Sequence, residues 1–241
     1  MGLFDNLFKK KEVQTESKAT TTNKVFKSET EFLEKFGANA LDKQRNLFGI
    51  IEERSWNVDM DKEEISFGEE ITFPIQVLGS FSHSSETWLW IWNNKAGGYS
   101  ESIMKQALLL KKYGEENEID LLKIGKFDAT NNDLHLIGMI ASEMFNSSGY
   151  YLADYGQGIM ILTIKSNIID QFKSDEYIRI QTVIPELISS FEMNHKIALT
   201  NYLISKGYEI NSEPNKLTGK KNEKVITAEF NDESLLSKLN G

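Results

Sequence analysis

The chain has no cysteine, only three prolines, and no apolar run longer than a few residues, as in 108–110 and 158–162. Without cysteine there is no disulfide, thiolate metal ligand, iron–sulfur cluster or cysteine nucleophile. Without a run of about 20 apolar residues, no transmembrane helix fits. Positive charge is also scarce, with 27 basic residues against 36 acidic ones and a net charge of -9. That balance argues against general nucleic-acid binding, which rests on Lys and Arg neutralising phosphates. What remains is the composition of an ordinary folded protein, 40% apolar and 26% charged over 241 residues, neither collagen-like nor disordered.

The charge is unevenly spread. Six lysines (9, 10, 11, 18, 24 and 27) against Asp5, Glu12 and Glu16 give the first 27 residues +3, leaving -12 on the rest. Leu3, Phe4, Leu7 and Phe8 recur at helical spacing just ahead of Lys9, Lys10 and Lys11. Residues 1–11 therefore read as a short amphipathic helix for weak contact with a membrane surface or a partner. Its charges follow the apolar stretch, unlike a secretory signal. Asn6 stands where myristoylation wants Ser or Thr. The expected location is cytoplasmic, with a peripheral place at the inner membrane face as the alternative. Residues 12–27 lack an apolar period and read as a flexible linker.

Two further units are expected, 28–175 and 176–241, packed on one core. Ser28 to Glu31 has the capping-box pattern, opening a helix to about residue 54 with Gly37 as its weak point. Strands follow over 55–60, 64–67, 70–82 and 87–93, then a helix over 100–114, a short strand in 121–127, a helix over 132–146 and a hairpin of 149–155 with 158–165. Pro185 predicts the first turn of a long helix ending at Gly207. Strands over 208–212, 215–219 and 223–230 and a last helix from Asp232 complete the chain. The fold class is α+β, a mainly antiparallel sheet flanked by helices, with a helical and β-hairpin C-terminal extension.

The most distinctive segment is Thr87-Trp88-Leu89-Trp90-Ile91-Trp92-Asn93-Asn94. Strand alternation puts Trp88, Trp90 and Trp92 on one face. Three indoles at that spacing could stack sugars or bases, or cage a quaternary ammonium, provided at least two are exposed. The plainer reading is a central strand covered on both faces, its indole N–H groups served by Asn93, Asn94 or Ser82.

This segment, with Gly79-Ser80 before it, resembles the hallmark of a bacterial domain family of unknown function. Gln44, Trp56 with Asp59, Phe67, Gln76-Val77-Leu78, Tyr113-Gly114 and Gly149-Tyr150-Tyr151 fit the same pattern over about residues 28–165. The resemblance implies a domain boundary and a bacterial source, and it brings no chemistry.

No motif assigns an activity. The three histidines, His83, His135 and His195, stand far apart, and no metal-ligand spacing is present; no metal or cofactor is expected. His195, on an apolar helix face, reads as a hydrogen-bonded core or interface residue. Asp59, Asp61, Glu63, Glu64, Glu69 and Glu70 crowd a short stretch, which usually means a solvated face. Tyr150 and Asp154 would share one face of a strand. The expected function is a non-catalytic binding module whose acidic surface takes a protein partner and favours a basic one. The rival is an enzyme whose first suspects are Asp59, His83, Tyr150 and Asp154, converging only in three dimensions.

Overall fold

A computed structural model describes residues 24–241. The amphipathic helix expected at 1–11 and the linker up to 23 lie outside the described residues. The last residues expected as linker belong to the folded body instead. Phe26 is fully buried, its N–H donates to the Tyr113 hydroxyl at 2.8 Å, and its carbonyl accepts from the same hydroxyl at 2.6 Å. Lys24 pairs with the buried Glu143.

The opening helix is capped as its sequence predicts, with one change of partner. Ser28 Oγ accepts from the Glu31 N–H at 3.1 Å, but the Glu31 carboxylate returns to the N–H of Lys27, one residue before the cap. Helix α1 (Glu29–Phe32) runs into a π-helical turn (Leu33–Gly37) and then α2 (Ala38–Ile51). Gly37, the expected weak point, closes that wide turn. Glu52 ends the helix at φ 51°, three residues short of expectation.

Among the described residues the strands form two antiparallel sheets. The larger contains β1 (Trp56–Asp59), β2 (Glu64–Phe67), β3 (Ile71–Ser82), β4 (Thr87–Trp90), β5 (Lys126–Asp128), β6 (Gly149–Asp154) and β7 (Gly158–Ile164). The long β3 is its spine. One edge of β3 pairs first with β2 and then with β4, while the other edge pairs with β7. A bulge between Val77 and Gly79 inserts Leu78, which re-aims the strand. Tyr151 of β6 meets the Phe67 ring of β2 at 5.0 Å and the Trp56 ring of β1 at 6.3 Å. In a flat sheet β6 and β2, three strands apart, would lie about 14 Å from each other, so this sheet is strongly curled.

Gly79 lies opposite Trp90 in the ladder. A Cβ there would come within 3.0 Å of the Leu89 carbonyl and the Trp88 ring, and a carbonyl on a paired strand cannot swing away. Gly79→Ala is expected to lower stability by roughly 2–3 kcal/mol, measured as a shift of the urea midpoint; an unchanged midpoint would refute the close approach.

Helices α3 (Lys105–Asn117), α4 (Asp120–Lys123) and α5 (Asn131–Met144) follow. The strand expected within 121–127 is divided, its first half helical as α4. Thr130 and Asp133 give α5 a full capping box. Gly138 of α5 lets the Tyr150 ring lie against the helix, where a Cβ would overlap it. A short α6 (Asn167–Asp170) leads to the C-terminal part.

Two sequence expectations fail there. The single long helix is two, α7 (Glu176–Ser190) and α8 (His195–Ser205). Asp175 caps α7, so Pro185 falls in its interior, on the exposed side, where the carbonyl left without a donor can meet water. The chain breaks at 191–194, where the Asn194 side chain caps α8. The helix expected from Asp232 is a strand. Asn231 Oδ1 accepts from the N–H groups of Glu233 and Leu235, and Ser234 adopts φ 63°. That turn folds β11 (Leu236–Asn240) back on β10 (Lys224–Phe230), completing a four-stranded sheet with β9 (Lys216–Lys221) and β8 (Glu209–Glu213). Buried residues of both sheets belong to one apolar cluster.

Candidate functional site

The tryptophan strand is shut. Trp88, opposite Phe81, and Trp90, opposite Gly79, are both 0% exposed, and their rings meet edge to face at 5.4 Å. Trp92 is not on the strand, which ends at Trp90; Ile91–Asn93 form a 3-10 turn. Trp92 stacks on Trp90 at 6.3 Å instead, with the Lys111 ammonium 4.7 Å from its centroid. With two of three indoles buried, an open stacking platform or cage is ruled out. The indole acceptors also differ from expectation. Trp90 Nε1–H donates to the Leu121 carbonyl at 3.1 Å, while the N–H groups of Trp88 and Trp92 are buried without a partner.

Of the four enzyme suspects, only His83 and Asp154 touch. His83 Nε2 lies 3.3 Å from each Asp154 carboxylate oxygen. Antiparallel pairing of β7 with β3 on one side and β6 on the other brings these residues, 71 apart in sequence, to one end of the sheet. The His83 N–H donates to the Gln157 carbonyl at 3.2 Å, and the Gly156 N–H to Asp154 Oδ1 at 2.8 Å. The Gly156 amide first, and His83 second, hold the exposed Asp154 carboxyl below the usual carboxylate range. Tyr150 shares the strand face of Asp154 but points its hydroxyl inward, 2.9 Å from His135 Nδ1. Burial raises the Tyr150 pKa and lowers that of His135, so the pair is a neutral phenol on a neutral imidazole. The Tyr150 N–H donates to Gln44 Oε1 at 3.1 Å. Asp59 bonds within its own turn, accepting from the N–H groups of Asp61 and Lys62 at 3.1 and 3.0 Å and facing the Lys62 ammonium at 2.8 Å. That lysine first, then its N–H, keeps the Asp59 carboxyl below its ordinary pKa.

The carboxylates around Asp59 form an acidic ribbon on β1, β2 and their turns. Residues 52–70 carry eight acidic side chains against Arg54 and Lys62. Glu52, Glu53, Asp61, Glu69 and Glu70 are exposed. Arg54 reaches Glu52 at 3.3 Å, and Glu63 accepts the hydroxyls of Ser100 and Ser102. Among the described residues Glu53, Asp61, Glu64, Glu69 and Glu70 have no ion-pair partner. Two surface depressions stand out, one between 174–176 and 221–224. The other, lined by Leu89, Ile91, Tyr99 and Met160 among others, holds about 20 Å³, room for one water. No group of three or more His, Asp or Glu among the described residues could hold a metal ion.

A family model described as a family of unknown function, DUF6882, matches residues 30–166, more than half of the chain. The chain belongs to DUF6882. No curated protein and no solved structure matches it. The DUF6882 region runs from α1 to just past β7 and takes in the tryptophan strand, the His83–Asp154 contact, Tyr150 with His135, and the acidic ribbon. Helices α7 and α8 and the four-stranded sheet lie beyond it. Sequence reasoning missed His135, because its partner lies on another element and no spacing signals a helix-to-strand contact. No described helix is long and apolar enough to cross a membrane.

Proposed function

We propose that this DUF6882 protein is a non-catalytic binding module that docks a basic protein through the acidic ribbon of residues 52–70, within a bacterial cytoplasm. The observation that supports this reading is the cluster of five carboxylates there that form no ion pair, with only Arg54 and Lys62 as cations along the same stretch. Such a surface steers a cationic partner and repels phosphates. Each carboxylate is solvated before binding, so the ribbon contributes mainly to encounter and selectivity. Affinity would fall steeply with salt.

The test compares the intact chain with its Glu52→Gln, Glu53→Gln, Glu69→Gln, Glu70→Gln quadruple variant. Both are immobilised and offered a lysine-rich peptide and then host lysate. Four exposed charges at a few tenths of a kcal/mol or more each predict roughly tenfold or greater loss of affinity in the variant, with a shallower salt dependence. Equal retention of every bound protein by the two chains would sink the proposal.

A further inference from the structure

The three histidines have three different kinds of partner. His83 faces the Asp154 carboxylate, which can only accept. His135 faces the Tyr150 hydroxyl, which donates or accepts, so that bond survives with its direction reversed. His195 is different. Its Nδ1 accepts from the backbone N–H of Leu236 at 3.0 Å, and a backbone N–H can only donate. A proton on Nδ1 would set one N–H against another.

His195 opens α8 and Leu236 opens β11. Strand β11 pairs with β10 alone, from Phe230 opposite Leu236 to Thr227 opposite Asn240. Its other ties are the Ser237 hydroxyl to the Glu229 carbonyl at 2.9 Å, the Tyr177 hydroxyl to the Gly241 carbonyl, and the packing of Leu236 and Leu239 on the apolar cluster. None of these titrates in mild acid. We propose that His195 is an acid-sensitive latch, fastening β11 while neutral and releasing it when protonated. Release uncovers the edge of β10, a template on which another strand can pair.

The charged groups on the neighbouring elements include Glu34 at the Asn194 N–H, Lys35, Glu192, Lys196, Glu209, Glu213, Lys216, Lys238 of β11 itself, and Asp232 and Glu233 in the turn before it. Burial pushes the His195 ring below its ordinary pKa. A released ring takes its proton near the usual value of about 6.5, and the docked ring only at lower pH. Docking is therefore complete above that value and weakens as pH falls through it.

Hydrogen exchange on the intact chain tests the latch at about pH 7.5 and about pH 5.5, corrected for the intrinsic rate. Amides of Leu236–Asn240 are expected to lose roughly fivefold or more of their protection in acid, the equilibrium worth of one hydrogen bond. Amides between β9 and β10 should hold. His195→Asn, whose amide oxygen can take the place of Nδ1 without titrating, should keep β11 protected at both values. Nitrogen NMR of the unaltered chain should find His195 in the Nε2–H tautomer at neutral pH. Acid-independent protection of β11, the Nδ1–H tautomer, or the same acid loss in His195→Asn would each overturn the latch.

Discussion

Trp90→Ala is expected to cost roughly 3–5 kcal/mol of stability, and Trp88→Ala a similar amount, while Trp92→Ala should cost only about 1–2 kcal/mol. The three side chains look alike in the sequence and differ in what each would leave behind. Removing Trp90 empties a fully buried site, breaks a ring contact with Trp88, uncovers Trp92, and orphans the Leu121 carbonyl. Removing Trp88 opens a cavity against Phe81 and Gly79 but frees no bonded partner, since its N–H has none. Trp92 is only partly buried and contributes a stacked face and a seat for Lys111. Urea unfolding of the three variants, with slopes compared to show that each still unfolds as one unit, gives the ranking. A Trp92→Ala loss as large as that of Trp90→Ala would contradict the burial described here, and so would a near-silent Trp88→Ala.

The same strand shows where sequence patterns lead and where they stop. Alternation over 71–82 and 87–90 was legible because each face of these strands meets a different environment. It misled at Trp92, because a strand persists only while a neighbour pairs with it, and β5 offers just Lys126–Asp128. Local chemistry was legible at Ser28, whose side chain bonds backbone three residues away, while Asp59, an enzyme suspect in the sequence, spends its carboxylate on its own turn. The chemistry is equally local at Asn231, yet the sequence expectation there is a helix from Asp232, and the edge of β10 draws Leu236–Asn240 into a strand instead. Pro185 suggests a helix start by its residue type alone, whereas the cap that starts α7 is Asp175, ten residues earlier. The contacts that join distant segments, His83 with Asp154, His135 with Tyr150 and His195 with Leu236, are set by strand order and helix docking. No spacing within the chain encodes them.

Asp42 makes the strongest case for how the two halves of the chain hold together. It lies on α2, inside the DUF6882 region, at 6% exposure. Its Oδ1 is 3.0 Å from Arg179 Nη1 of α7, whose guanidinium also donates to the Asp42 carbonyl at 2.8 Å, and its Oδ2 pairs with Lys206 just after α8. Burial first, and the Asp42 carboxylate second, raise the pKa of the adjacent Tyr202 hydroxyl, which therefore stays neutral. One carboxylate thus balances two cations from helices beyond the family region, and Arg179 is itself 8% exposed. Asp42→Ala strands that guanidinium without a counter-charge, and the expected cost is about 3–5 kcal/mol. Asp42→Leu combined with Arg179→Leu should recover most of it, because removing both partners spares the desolvation that a lone charge suffers. Where the loss falls is as informative as its size. If residues 28–175 and 176–241 share one core, Asp42→Ala will lower the exchange protection of β3 and β10 together. If they are separate units, β8–β11 will open while β3 keeps its protection. A loss below about 1 kcal/mol, the range of an exposed pair, would mean that water already reaches this cluster.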